Sequence, residues 1–321
     1  MKRKTCLIFN PVAGQNDSDR DLEEIKAKLS PTIDLDIEFT TEELDAGQLA
    51  SKAVARGLKE IVASGGDGTI SAAAEALVGT DIPLGIISRG TANAFANALD
   101  LPETIEEACQ TIIAGTTRKL DAAKCNGKPM VLLAGIGFEA ETIDDTSRQS
   151  KNRWGMLAYV LSGLRQLRGF ESFEAEIETE DKIIHTVTAG AITVANVAPP
   201  SSVLAQGPAG IICDDGLLDV TIVALQNWTG AIAASYHLLN TSLRGDAAKR
   251  DDIGYLRTKW VKVTANPPQK VVLDGEIIGK TPVEIECIPG GLKIFVPKNL
   301  VADPEEKLES LPEVEITKKQ D

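Results

Sequence analysis

Ile61-Val62-Ala63-Ser64-Gly65-Gly66-Asp67-Gly68-Thr69 is the stretch on which the reading of this chain turns. A short apolar run bounded by glycines reads as a buried strand that ends in a tight loop. Consecutive glycines at a strand end let the backbone come close to a ligand and turn several N–H groups toward it. The helical pattern that follows, through Leu77, would present its positive end to an anion. Asp67 alone would repel a phosphate, so it suits this loop when a Mg²⁺ ion sits between carboxylate and phosphate. A ligand-free Gly-Asp-Gly turn satisfies the same pentapeptide, and this stretch by itself leaves both readings open.

Working outward, the same strand–loop–helix pattern recurs. Residues 5–9 read as a buried strand, followed by the loop Asn10-Pro11-Val12-Ala13-Gly14 and a helix from Ser18 with Leu22, Ile25 and Leu29 on one face. Residues 33–39 alternate like a strand, and residues 46–58 read as a helix. Residues 84–87 form the next strand, then come Ser88-Arg89-Gly90-Thr91-Ala92-Asn93 and a helix to Leu99. This succession predicts a three-layer α/β domain with a mostly parallel sheet. In such sheets the ligand crevice lies at the carboxyl ends of the strands, where three glycine-bearing loops would converge. Neither a GxxxxGK[ST] P-loop nor a GxGxxG fingerprint occurs, so any nucleotide is held in another way.

The texture changes near Asp121. Short β-rich runs follow at residues 131–133, 173–178, 183–188, 191–195, 217–223, 261–265, 270–273, 283–287 and 292–296, which predict an antiparallel β-sandwich. Helical stretches interrupt them at 154–167 and 228–243. The expected division is an α/β domain over 1–121, a sandwich over 122–300 whose end returns to the first domain, and an acidic, mobile tail over 301–321.

Composition excludes several classes of function. The chain has 321 residues and a hydrophobic share of 43%, enough for two packed domains. No apolar run nears the roughly 20 residues of a membrane span. Lys2, Arg3 and Lys4 are followed by too short an apolar region for an export signal. The five cysteines are scattered and never spaced CxxC, and only His185 and His237 accompany them, which points to a reducing cytoplasm without a zinc site. A net charge of −14 argues against nucleic acid. Against that background, residues 146–170 hold Arg148, Lys151, Arg153, Arg165 and Arg168 and no acid. As a helix this segment would align Trp154, Leu157, Leu161, Leu164 and Leu167. It could rest on an anionic membrane surface or cover the sandwich with its apolar face.

The ordered set Asn10-Pro11-Val12-Ala13-Gly14, Gly65-Gly66-Asp67-Gly68-Thr69 and Gly90-Thr91-Ala92-Asn93 resembles the diacylglycerol kinase catalytic domain family, and most closely its bacterial soluble lipid kinase branch. That branch is related to sphingosine and ceramide kinases and, more distantly, to NAD kinases. Lys151-Asn152-Arg153-Trp154-Gly155, Asp215-Gly216-Leu217-Leu218-Asp219 and Asp274-Gly275-Glu276 extend the likeness over nearly the whole chain. The resemblance implies a lipid kinase of phospholipid metabolism that uses ATP and Mg²⁺ and contacts the inner membrane surface through residues 148–168. It also implies a homodimer as one quaternary state. ATP would be held by Asn10, Pro11, Val12, Ala13, Gly14, one of Thr40 and Thr41, Gly65, Gly66, Asp67, Gly68, Thr69, Gly90, Thr91 and Asn93. Glu276 would be the general base, with Asp67 at the catalytic Mg²⁺. Asp215 and the carbonyls of Ile212 and Leu217 would hold a second Mg²⁺, and Asp121 would join the metal–water network. Read as residues alone, Asp274-Gly275-Glu276 is also a hairpin turn. The chain departs from the family at Ala94, and at Ser71 and Ala72, where carboxylates or Asn-Glu are common. The rival readings are an NAD kinase-like small-molecule kinase and a non-catalytic lipid- or nucleotide-binding regulator.

Overall fold

The computed structural model describes residues 2–14, 17–137, 172–198, 211–224 and 253–298. Strand β1 (Arg3–Phe9) is buried from Thr5 to Phe9, and a strand covered on both faces belongs inside a sheet. It pairs in parallel with β2 (Ile33–Phe39) on one side and β3 (Ile61–Gly65) on the other, and β3 pairs in parallel with β4 (Leu84–Ser88). Alternation along β1 sends Cys6 and Ile8 into a core with α2 (Ala46–Ala55) and α3 (Asp67–Leu77). Leu7 and Phe9 enter the opposite core with α1 (Ser18–Leu29) and α5 (Ile105–Ala114). Because β1 leads to β2 on one side while β3 flanks its other side, the sheet has its topological switch point between β1 and β3.

Local chemistry fixes the helix ends. Asp17 caps α1, Asp45 and Gln48 form a capping box on α2, and Thr104 caps α5. Helices α3 and the short α4 (Ala94–Ala98) are the exceptions: Gly66 and Asn93 stand at their N-caps with no side-chain cap, and at α3 this leaves the N–H groups of Asp67 and Gly68 to a ligand. Helix α2 stops at Ala55, short of the expected Leu58. Gly57, at φ 84°, turns the chain there, and the N–H groups of Gly57 and Leu58 reach back to the Val54 and Ala53 carbonyls.

The sandwich packs two antiparallel layers. One is the path β12 (Ile253–Thr258), β11 (Leu218–Val223), β10 (Ala191–Ala195), β7 (Leu133–Gly137), β14 (Lys270–Leu273) and β15 (Glu276–Lys280). Facing it are β16 (Val283–Phe295), β13 (Trp260–Asn266), β8 (Phe173–Thr179) and β9 (Ile183–Ala189), with β5 (Thr117–Cys125) and β6 (Lys128–Met130) beside β16. Inward residues of both layers, among them Ile136, Val194, Val220, Ile177, Val263 and Ile285, share one core.

Three expected strands change shape. Residues 131–133 are not one strand: Val131 and Leu132 form a bend between β6 and β7, because three successive N–H groups turn to the Asp274 carboxylate instead of a ladder. Residues 283–287 and 292–296 are not two strands either. They belong to the single strand β16, which carries a bulge at Pro289-Gly290-Gly291 and pairs with β5 on both sides of it. Its last residues also run parallel to β4 through Ile294 and Leu84. Helix α5 and strands β5, β6, β12 and β15 lie in stretches where the sequence pattern marks no element. The helices expected at 154–167 and 228–243, and the tail 301–321, fall outside the described residues.

Strand β16 therefore enters both cores, with Ile285 in the sandwich and Ile294 in the α/β layer. Ile294 is fully buried, and Ile294→Ala should cost about 2–5 kcal/mol. In urea, followed by circular dichroism, the two halves should shift together in one transition. A shifted α/β transition beside an unmoved sandwich transition would contradict that coupling.

Candidate active site

The loops after β1, β3 and β4 meet at the switch point and are bonded to one another. Asn10 Nδ2 donates to Thr69 Oγ1 at 2.8 Å, and the Asn10 N–H donates to the Ser64 carbonyl at 2.9 Å. Thr69 is packed over Gly65: a Cβ at Gly65 would lie 2.5 Å from Thr69 Oγ1. The Arg89 N–H donates to the Gly65 carbonyl at 2.7 Å, and a Cβ on Gly90 would come within 2.8 Å of the Gly66 Cα. Only glycine permits that approach of two backbones. Asn93, in the left-handed region at φ 47°, closes the last loop by accepting the Gly90 N–H at 2.9 Å. Thr91 stands exposed at its tip.

Asp67 lies in the first turn of α3, half-buried, with no hydrogen-bond or ion-pair partner among the described residues. A free hard-oxygen donor at the uncapped end of a helix suits a Mg²⁺–phosphate pair. Beside these loops, Gly14, Arg20, Asp21, Ser88, Gly90 and Thr104 line part of a cavity of about 650 Å³. At the end of β2 the two threonines differ. The Thr41 hydroxyl accepts the N–H groups of Glu43 and Leu44 and so belongs to its own turn. The Thr40 hydroxyl has no such bond among the described residues, which favours Thr40 as a ligand contact.

Glu276 opens β15 directly after the two-residue turn Asp274-Gly275, whose φ angles of 47° and 95° suit a tight hairpin. The turn is pinned. Asp274 accepts the N–H groups of Val131, Leu132 and Leu133 at 2.7, 2.9 and 2.8 Å, and its own N–H donates to the Leu133 carbonyl at 3.0 Å. Burial pushes the Asp274 carboxyl up to about 6, against the pull of those three N–H donors. The hairpin faces α3 of the other half: burial, then Asp274, Glu276 and Asp45, push the Glu75 carboxyl up to about 7, while Lys128 opposes them. Glu75 stands eight residues along α3 from Asp67, roughly 12 Å at 1.5 Å per residue. Glu276 thus lies by the Glu75 end of the helix whose first turn carries Asp67.

Asp121 and Asp215 are engaged elsewhere. Asp121, in the middle of β5, accepts the N–H groups of Gly216 at 2.6 Å and Gly290 at 2.7 Å, so it clamps the loop before β11 and the β16 bulge to one strand. Asp215 accepts the Leu217 N–H at 3.1 Å and pairs with the Arg257 guanidinium, which also lies 3.2 Å from the buried Asp219. Burial raises the Asp219 carboxyl above its usual range, and the Tyr255 hydroxyl bonds to it. Ile212 is exposed. With both carboxylates bonded and a cation already at Asp215, this donor set does not fit a divalent ion. Among the described residues no three His, Cys, Asp or Glu side chains gather as a metal group. Sequence reasoning passed over Glu75, Arg89 and Arg257, whose partners are distant in the chain and leave no spacing to read.

Residues 4–125 match the diacylglycerol kinase catalytic domain, and residues 132–296 match the YegS C-terminal NAD kinase beta sandwich-like domain. The chain belongs to the diacylglycerol kinase catalytic domain family. Within this lipid kinase family, a diacylglycerol kinase of Bacillus subtilis is 30% identical over 308 residues, covering 92% of this chain and 97% of that protein. A Xanthomonas oryzae protein described as "Probable lipid kinase YegS-like" is 31% identical, covering 91% and 96%. A crystal structure of a diacylglycerol kinase from Bacillus anthracis superposes with a TM-score of 0.77 at 28% identity, covering 93% of this chain and 99% of that one. As in the family fold, an α/β parallel-sheet half is joined to an antiparallel β half. Among the described residues, no helix is long and apolar enough to cross a membrane.

The raised Glu75 carboxyl has a consequence for stability. The folded state holds this proton more tightly than the unfolded chain, so the stability it supports is present below about pH 4.5 and is lost as pH rises through about 7. Glu75→Gln removes the loss. Discounted for the solvent that reaches this half-exposed side chain, the variant should gain on the order of 1–2 kcal/mol over the wild type between pH 4.5 and 8. Urea midpoints across that range check it, and parallel pH profiles would contradict it.

Proposed function

We propose that the chain transfers the γ-phosphoryl group of ATP to the hydroxyl of diacylglycerol or a similar lipid. Residues 1–121 act as the nucleotide half, 122–300 as the lipid half and 301–321 as a tail. The observation that carries the reading is the interlocked set of strand-end loops at the switch point, at the head of α3, with a hairpin of the other half bringing Glu276 beside Glu75 on the same helix.

The phosphates would lie against the first turn of α3 and the glycines of the three loops, met by N–H groups of Gly66 and Gly68 and by the Thr91 hydroxyl. Thr40 would touch the nucleoside side. Mg²⁺ would be held at Asp67 and would offset phosphate charge when bound. The lipid hydroxyl oxygen forms a bond to the γ-phosphorus as the bond from that phosphorus to the β–γ bridging oxygen breaks, and ADP leaves. The hydroxyl proton passes to the Glu276 carboxylate. The hairpin is held at the bend 131–133, so Glu276 keeps its place without help from the substrate. The reaction is placed at the inner face of the membrane, with residues 148–168, outside the described ones, as the docking element.

Transfer of labelled γ-phosphate from Mg-ATP to a lipid panel in anionic mixed micelles tests the reading. The wild type should label a lipid, and Glu276→Ala should lower kcat by about 10²–10⁴-fold with KM for ATP little changed. Asp67→Asn should abolish the Mg²⁺-dependent rate. Bound ATP with no label on any lipid would overturn the proposed activity.

A further inference from the structure

Among the described residues Arg89 is the one buried Lys or Arg, and it sits where a phosphate-binding cation would be expected, between the loop after β4 and Gly14. Its side chain is 2% exposed and its hydrogen-bonding edge is turned inward. Nε donates to Asp21 Oδ2 on α1 at 2.8 Å, Nη1 to the Asn10 carbonyl at 3.0 Å and Nη2 to the Ala13 carbonyl at 3.0 Å. One face of the plane lies over the Phe9 ring, 4.3 Å from its centroid. A guanidinium is a rigid planar fork, and here it is matched to one carboxylate and two carbonyls. The charge is countered by Asp21, itself buried.

The pull on the Ala13 carbonyl has a geometric result. Across a trans peptide the C=O and the next N–H point in opposite directions. Holding the Ala13 carbonyl toward Arg89 therefore turns the Gly14 N–H away from it, out of the loop. Gly14, at φ 99°, adopts a conformation that L side chains rarely take, and its N–H has no partner among the described residues. The same residue ties the third loop, since the Arg89 N–H donates to the Gly65 carbonyl.

We infer that Arg89, with Asp21 as its counter-ion, is a positioning residue for ATP: it sets the Asn10–Gly14 loop so that the Gly14 N–H faces the phosphates, and it touches no phosphate itself. This rests on the proposed reading of the loops as a nucleotide site. It makes the opposite forecast from a direct phosphate clamp. A lysine would serve a clamp, and neutralising Asp21 would free the cation and tighten ATP. A fork that shapes the loop fails with either change.

Steady-state kinetics on the full chain compare the wild type with Arg89→Lys and Asp21→Asn. Both variants should raise KM for ATP about tenfold or more, with much smaller changes in kcat and in KM for the lipid, and the double variant should be no worse than the worse single one. A KM for ATP unchanged in Arg89→Lys, or lowered in Asp21→Asn, overturns the inference. Hydrogen exchange on the wild type needs no variant to fold: Mg-ATP should slow exchange at Gly14, and an unprotected Gly14 under saturating nucleotide overturns it as well. Calorimetry with Mg-ATP separates the two levels. A wild type that does not bind Mg-ATP overturns the nucleotide site and this role together. Wild-type binding with unchanged affinity in both variants overturns only the role of Arg89.

Discussion

The antiparallel ladder between β5 and β16 is the constraint on which the rest of the molecule depends. These two strands pair from Cys125 and Ile285 at the sandwich end to Thr117 and Phe295 at the α/β end. Each contributes side chains to both hydrophobic cores. The two halves are therefore not joined by a linker that a ligand could bend. The hairpin with Glu276 and the first turn of α3 are carried by this one paired frame. Preorganisation of this kind suits a reaction in which positioning and electrostatics supply most of the acceleration.

Within that frame, buried side chains do the same job several times: they gather backbone groups from separate loops. Asp274 holds three N–H groups of the 131–133 bend, Asp121 holds Gly216 and Gly290, and Arg89 holds the carbonyls of Asn10 and Ala13. Each replaces water that the loop would otherwise need. The loop surface at the switch point is left to neutral peptide groups and glycines, with Asp67 as a carboxylate without a partner among the described residues. A site built from peptide dipoles binds an anion well only when those dipoles are fixed in advance. The clamps behind the loops supply that fixing.

Much of this was legible in the residues. Alternation and length located β2 to the residue at both ends, and the Gly65–Thr69 pentapeptide located the turn from β3 into α3. Taken as residues alone, Asp274-Gly275 has the pattern of a hairpin turn, and the chain turns there between β14 and β15. The ordered loops carried the family as well, since their spacing reflects a sheet that delivers them to one edge. What escaped was set by contacts between distant parts of the chain. The break at 131–132 depends on Asp274, more than a hundred residues later. The union of two short runs into β16 depends on β5 running beside both of them. The work of Asp121 could not be read, because a carboxylate that holds backbone N–H groups and one that holds a metal are the same residue type in sequence. Arg89 looked like any loop arginine until Asp21 and Phe9 were beside it.

Strand β16 also bears on how the protein is made. A ribosome delivers the α/β segments first, and an N-terminal domain would ordinarily fold as it emerges. Here β4 and β5 lack their neighbour until almost the whole sandwich has been synthesised, because that neighbour is the last described strand. The nascent α/β half must wait with an open sheet edge, a surface prone to mispairing with other chains. Closure then comes as a single late event that completes both cores together, so vectorial synthesis gives this two-part molecule no independently finished first part.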